Sequence, residues 1–259
     1  MTMIGDNLQR VRARIAAACR AAGRDAGTVT LLAVSKTWGV EAVREAFAAG
    51  QIAFGENYLQ EAVDKILAIR QWEAESLRLS ASRHSCGFRS PQAGPLSSPT
   101  EWHCIGPIQS NKTRLVAEHF DWAHTIDRLK IAQRLSEQRP SELEPLQVCI
   151  QVNIDGGPTK SGVAPQAALA LVREVAKLPH LQVRGLMTIP EPAPDFAAQV
   201  AVHARARALF EQIAAMVGPE LDHFDTLSMG MTADLEAAIQ AGSTMVRVGT
   251  AIFGSRPRP

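Results

Sequence analysis

Short apolar runs alternate along this chain with longer segments in which apolar residues recur at helical spacing. The runs are Val29–Val34, Gln51–Phe54, Trp102–Ile105, Trp122–Thr125, Gln147–Asn153, Val183–Ile189, Phe224–Leu227 and Met245–Val248. They are short and largely apolar, as strands of a parallel sheet covered by helices must be. Between them, Val40, Val43 and Phe47 fall on one helix face, as do Ala168, Leu171, Val175 and Leu178, and later Phe196, Val200, Phe210, Ile213 and Val217. Residues 1–24 read as a leading amphipathic helix with arginines at positions 10, 12, 14 and 20 and none of the continuous apolar stretch of a signal or membrane anchor. Strand and crossover helix repeated in this way predict an α/β fold, a single (β/α)8 TIM barrel over residues 1–259 with an extra N-terminal helix. An open doubly wound sheet would carry a Gly-x-Gly-x-x-Gly turn after its first strand, and this chain has none.

One stretch breaks the rhythm. Residues 71–100 are rich in serine and contain Pro91, Pro95 and Pro99, so the part after Leu79 reads as a flexible insertion between a helix and the third strand. In a barrel, that connection lies on the face opposite the site. The 259 residues, 46% of them hydrophobic, suffice for a large core, and a formal net charge of +1 supplies no general field for nucleic acid or an anionic membrane. Any anion must be held locally. Cys19, Cys86, Cys104 and Cys149 have neither the paired spacing of a zinc site nor the density of a disulfide scaffold, which leaves free thiols, no metal and a cytoplasmic protein as the reading.

The candidate chemistry lies at strand ends. Lys36 closes the run Thr30–Ser35, where partial removal from water favours a neutral amine able to attack an aldehyde and hold it as a Schiff base. Ser228 and Gly230 follow the seventh apolar run, with Thr232, Ala233 and Asp234 opening the next helix, and Gly249 and Thr250 follow the eighth. Loops after strands seven and eight are where such barrels hold phosphate. Strand alternation turns Arg247 away from Val246 and Val248, into the barrel, where it needs an acceptor: a carboxylate such as Glu56 or Asp225, or a ring nitrogen of a bound cofactor. His103 is read as a core or pocket-wall histidine, Tyr58, on the loop after the second strand, as a residue that either packs or reaches the pocket, and Ser110 as a helix N-cap within Gln109–Lys112; Lys160 carries no assignment.

These residues sit in motifs that resemble the pyridoxal phosphate homeostasis proteins, also described as alanine racemase N-terminal-domain-like or proline synthetase co-transcribed proteins. The motifs are LLAVSKT at 31–37, FGENYLQEAVDKI at 54–66, WHCIGPIQSNKTRLV at 102–116, HTID at 124–127, QVNI at 151–154, KSGV at 160–163, GLMTIP at 185–190, LSMGMTADLEAAI at 227–239 and GSTMVRVGTAIFG at 242–254. They cover most of the chain outside residues 71–100. The resemblance implies a fold-type III barrel that binds pyridoxal 5'-phosphate, with Lys36 forming the imine, Ser228, Gly249 and Thr250 holding the phosphate beside Gly230, Arg247 facing the pyridine nitrogen and Asn57 lining the pocket. Cys104 and Thr232 stand where the family pattern suggests a bulkier apolar residue and a serine. The function implied is buffering or delivery of the cofactor, with apo-enzymes as partners, no nucleic acid or membrane partner, and a monomeric state. The rival is an amino-acid racemase on the same barrel. It would need a second base, drawn in that fold type from a further β-domain, and the chain ends at Pro259 just after its eighth strand. A Schiff-base aldolase is a third reading, and would need an acid/base set around a lysine on a later strand.

Overall fold

The computed structural model describes residues 2–84, 100–157 and 160–255. Eight parallel strands close into a barrel in sequence order: β1 Thr30–Val34, β2 Ala53–Glu56, β3 Glu101–Cys104, β4 Trp122–Ile126, β5 Leu146–Val152, β6 Leu181–Thr188, β7 Thr226–Met231 and β8 Met245–Val248. The ring is sealed where Leu32 of β1 stands level with Arg247 of β8. The leading helix α1, Met3–Ala21, is followed by α2 Val40–Ala48, α3 Leu59–His84, α4 Thr113–His119, α5 Leu129–Gln138, α6 Pro165–Ala176, α7 Phe196–Val217, α8 Leu235–Gln240 and the single turn α9 Thr250–Phe253.

Two layers of side chains follow from the strand alternation. The outward set, among them Ala33, Phe54, Trp102, Val148, Val183, Leu227 and Val246, packs against the helices in one continuous buried cluster. Each fully buried large side chain in that layer contributes roughly 1.5–3 kcal/mol. Inside the barrel the apolar filling is thin: Leu32, Ala53 and Met245 form one group, Trp122, Cys149 and Met187 another. The remaining interior positions are polar, and they organise the site. Helix α1 buries Ile4, Leu8, Val11 and Ile15 and packs on α2, α8 and α9. Thr2 caps it by accepting from the Gly5 amide.

Three sequence expectations shift. Helix α3 runs on to His84, so the first part of the expected insertion at 71–100 is helical; the rest of it, 85–99 with Cys86, lies outside the described residues. Strand β7 continues to Met231, because Ser228 and Met231 pair with Met245 and Arg247 of β8 across an irregular stretch that contains Gly230, where a turn was expected. Ser110 does not cap α4 with its side chain; a 3-10 turn over Ser110–Lys112 precedes that helix.

Candidate functional site

Lys36 is half-buried in the turn just past β1, and that turn is pinned from outside the barrel. Glu56 points outward from β2 and is fully buried; its Oε1 accepts from the Ser35 hydroxyl at 2.6 Å and from Lys65 Nζ at 2.7 Å. Lys65, on α3, also donates to the Ser35 carbonyl at 3.0 Å and to Glu61 at 3.2 Å, and Glu61 accepts the Thr37 amide at 2.8 Å. Both neighbours of Lys36 are therefore tied to one buried cluster. Thr37 needs those ties, because its φ of 68° is a conformation a β-branched residue rarely adopts, and strain of this kind persists only where the surroundings over-determine it. Burial pushes the Glu56 carboxyl upward, opposed by the Lys65 ammonium.

Arg247 lies inside the barrel, as alternation predicts, and is almost fully buried. The partners expected for it are corrected. Glu56 belongs to Lys65 in the outer layer, and Asp225 is held by Arg184, while Arg247 donates to the Ser228 hydroxyl at 2.7 Å and the Thr188 carbonyl at 2.8 Å. Burial pulls the guanidinium down to about 10, still well above neutrality, so it stays charged. A guanidinium has five N–H donors. Two are committed here, which leaves others for a ligand atom.

The loops after β7 and β8 meet at a pair of hydroxyls, Thr250 Oγ1 and Thr232 Oγ1, 3.5 Å apart. Ser228 is not part of that pair. Lying on β7 rather than after it, it is fully buried and engaged by Arg247 and by His124 at 3.1 Å. Gly230 has φ +92°, and a Cβ there would lie 2.4 Å from the Ala238 Cβ, so this glycine serves the backbone bend and the packing of α8. The loop is braced from two sides. Arg14 of α1 donates to the Thr232 carbonyl at 3.1 Å and pairs with Glu236. Asp234 accepts from the Met231 amide at 2.7 Å and lies 2.9 Å from Nε2 of the buried His203. Those hydrogen bonds outweigh desolvation and hold the Asp234 carboxyl below its ordinary value.

Asn57 follows β2 next to Gly106, where a Cβ would strike the Asn57 carbonyl at 2.4 Å, so the two loops touch backbone to backbone. Asn57 Oδ1, like Thr188 Oγ1 at the end of β6, is shut off from water without a hydrogen-bond partner. Beyond Asn57 the rim is a groove that includes Tyr58, Pro107, Gln109 and Lys112, with Tyr58 half exposed. Lys160 is used structurally, donating to the Ile189 carbonyl at 2.9 Å and lying 3.2 Å from Glu191. Sequence reasoning missed His124 and Glu101 altogether. Their strand parity was legible, since both alternate with outward residues, but nothing in the sequence showed that they meet. Among the described residues no cluster of three or more metal-ligating side chains occurs, and no helix is long and apolar enough to cross a membrane.

Such a barrel, with a strand-end lysine beside β8 and paired loops after β7 and β8, defines a class that comparison with known proteins identifies. The profile described as alanine racemase, N-terminal domain, matches residues 7–257, and the chain belongs to that family. Within it, the chain is 53% identical over 256 residues to the pyridoxal phosphate homeostasis protein of Pseudomonas aeruginosa, covering 99% of this chain and 97% of the relative. It is 52% identical to the protein of the same name from Vibrio cholerae, covering 99% of this chain and 98% of the relative. The solved structure of PipY from Synechococcus elongatus with PLP bound superimposes with a TM-score of 0.75 at 31% identity, covering 97% of this chain and 100% of that one.

Proposed function

We propose that this chain binds pyridoxal 5'-phosphate covalently on Lys36 and serves cofactor homeostasis by buffering or delivering it, with little or no catalysis of its own. The observation that carries the reading is the joint position of Lys36 at the end of β1, Arg247 on the adjacent β8 and the Thr232–Thr250 hydroxyl pair, in a chain whose relative PipY has been solved with PLP bound. The residues fit the group. Thr250, Gly249 and Thr232 suit a phosphate; Arg247, a donor only, suits an unprotonated ring nitrogen; the orphaned Asn57 Oδ1 and Thr188 Oγ1 suit polar ring substituents. Ser228 serves by holding Arg247. When bound, the cofactor would supply an electrophilic aldehyde, and Lys36 would supply the amine that holds it. Opposite an arginine rather than a carboxylate, the ring draws electrons weakly, which suits storage better than turnover. The setting is a cytoplasmic monomer that passes its cargo to apo-enzymes.

The test is spectroscopic. Purified protein should be yellow, lose its visible band on borohydride reduction and carry the adduct on Lys36. Lys36→Ala should be colourless, and a covalent adduct in that variant would refute the assignment. Incubation with L-alanine in heavy water should give no deuterated D-alanine; turnover on the order of 1–1000 per second would instead establish a racemase.

A further inference from the structure

A file of polar side chains crosses the barrel interior behind Arg247. His103 Nε2 lies 2.6 Å from Glu101 Oε1, His103 Nδ1 lies 2.9 Å from His124 Nε2, and His124 Nδ1 lies 3.1 Å from Ser228 Oγ, which accepts from Arg247 at 2.7 Å. The two histidines and Ser228 are fully buried, whereas the Glu101 side chain at the far end of the file is 43% exposed. Four strands contribute: β3, β4, β7 and β8. The rings are also fixed sideways, with His103 stacked on Trp122 and Trp122 covered by the Arg184 guanidinium 4.9 Å above its centre.

The two ends dictate the direction of every bond between them. A guanidinium only donates and an ionised carboxylate only accepts. Glu101, whose hydrogen bond from His103 helps hold its carboxyl below the ordinary value despite partial burial, is ionised at neutral pH. It must receive its hydrogen from His103 Nε2. In a neutral ring that leaves His103 Nδ1 bare, so it accepts from His124 Nε2–H, which leaves His124 Nδ1 to accept the Ser228 hydroxyl hydrogen. Ser228 then offers a lone pair to Arg247, and all four bonds run one way. Reversing His103 in a neutral file would set a lone pair against the Glu101 carboxylate, and reversing His124 alone would set its bare Nε2 against the bare Nδ1 of His103. An added proton would put a second cation in the interior that already holds Arg247, with Arg184 close by. Desolvation first, then His103 and Arg247, hold His124 well below its usual value.

We propose that Glu101, His103, His124 and Ser228 are positioning residues for Arg247, forming a one-way file of hydrogen bonds, both imidazoles neutral and protonated on Nε2, that fixes the guanidinium against the ring-nitrogen end of the cofactor. The inference rests on the reading that Arg247 meets that ring. A guanidinium bonded only to the Thr188 carbonyl would be free to swing about it. Tied to Ser228 as well, it presents its remaining donors in one direction. The file also explains why a serine with no exposure to the site sits between an arginine and a histidine, and why two histidines stand in the barrel interior beside its apolar residues Leu32, Trp122, Cys149, Met187 and Met245. Satisfied buried networks of this kind specify one arrangement, and breaking one link loosens the rest.

The tautomers are read directly from ring-nitrogen NMR of the 15N-labelled protein, first without cofactor and then loaded, with signals assigned by their disappearance in His103→Phe and His124→Phe. At neutral pH both rings should show a protonated Nε2 and a bare Nδ1. An imidazolium, or a protonated Nδ1 on a neutral ring, would overturn the proposal whether or not the cofactor binds. The positioning role is read in His124→Phe, which keeps the aromatic volume and removes the link to Ser228. Its affinity for pyridoxal 5'-phosphate should fall about tenfold, the scale of one lost hydrogen bond, and the pH midpoint of the bound cofactor's absorbance should move. Unchanged affinity and midpoint in a folded His124→Phe would mean that the file merely packs the barrel, which refutes the role. A wild type that forms no coloured complex would count against the cofactor reading and leave the tautomer result standing.

Discussion

Replacing Lys65 with methionine isolates the cluster that holds the Lys36 turn. In the native protein the Glu56 carboxylate has no exposure, and its compensation is one hydrogen bond from Ser35 and the Lys65 ammonium 2.7 Å away, Oε2 having no partner. Methionine fills the space and strands the charge, which typically costs about 3–5 kcal/mol. The variant has one escape, to protonate Glu56. That costs about 1.4 kcal/mol for each pH unit above an unfolded-state value near 4.3, so the ceiling on the charge penalty is about 4 kcal/mol at pH 7 and only about 1.5 kcal/mol at pH 5.5. The sign follows from the direction of the shift. Burial raises the folded-state pKa of Glu56; a carboxyl raised on folding binds more protons in the native state, so stability is retained below the unfolded value and lost as pH rises through the folded one. Without Lys65 that rise is larger. The lost bond to the Ser35 carbonyl adds about 1 kcal/mol that does not depend on pH. Urea unfolding of both proteins at pH 5.5 and pH 8 is the assay, with Glu56→Gln/Lys65→Met as the control that should recover most of the loss at the higher pH. A deficit equal at the two pH values, or one below about 1 kcal/mol at pH 8, would refute the view of Glu56 as a buried charge held by Lys65.

Other substitutions probe the loops after β7 and β8. Asp234→Asn should lose about 1–3 kcal/mol at pH 7. Because the carboxyl is depressed on folding, that contribution exists above its unfolded value and disappears as pH falls through the folded one, so wild type and variant should converge in urea midpoint on acidification below about pH 4. Arg14→Met removes a half-exposed ion pair worth under about 1 kcal/mol, yet it frees the Thr232 carbonyl, so cofactor affinity should fall while the melting temperature barely moves; titration and calorimetry separate the two. Gly230→Ala should cost roughly 2–4 kcal/mol by denaturation, from the left-handed backbone and the contact with Ala238.

How much of this was legible beforehand depended on the kind of signal. Strand order and the helix layer came from periodicity, because Ala33, Phe54, Val183 and Val246 are apolar for the same reason they are buried, namely that each faces a helix. Arg247 could be sent inward by alternation alone. Its partner could not be named, since parity says which side a residue faces and not which of the facing strands reaches it. Ser228 illustrates the limit most clearly. Its serine-glycine neighbourhood suggested a turn, but the ladder extends past it to Met231, and a shift of boundary by a few residues moved the hydroxyl from a supposed phosphate cradle into the barrel interior. Thr232 took its place beside Thr250. Lys65 gave no local hint at all. On a helix pattern it is one more lysine, and its burial follows only from where α3 crosses β2.

The candidate site is therefore built from three contributions that do not depend on one another. The Lys36 turn is held from outside the barrel by Glu56, Lys65 and Glu61. Arg247 is held from inside, through Ser228, His124, His103 and Glu101. The loop bearing Thr232 is held by α1 through Arg14 and by α7 through His203 and Asp234. Each part is tied by hydrogen bonds to groups of the protein itself, although Glu56 Oε2 and His203 Nδ1 keep no partner, so the arrangement needs no ligand to form. A site ordered in advance pays little conformational entropy on binding, and its affinity is set by contacts rather than by rearrangement. For a protein whose proposed task is to hold a reactive aldehyde and release it intact, such independence has a further consequence: loosening any one support weakens a single contact to the cofactor, while the other two keep it in register.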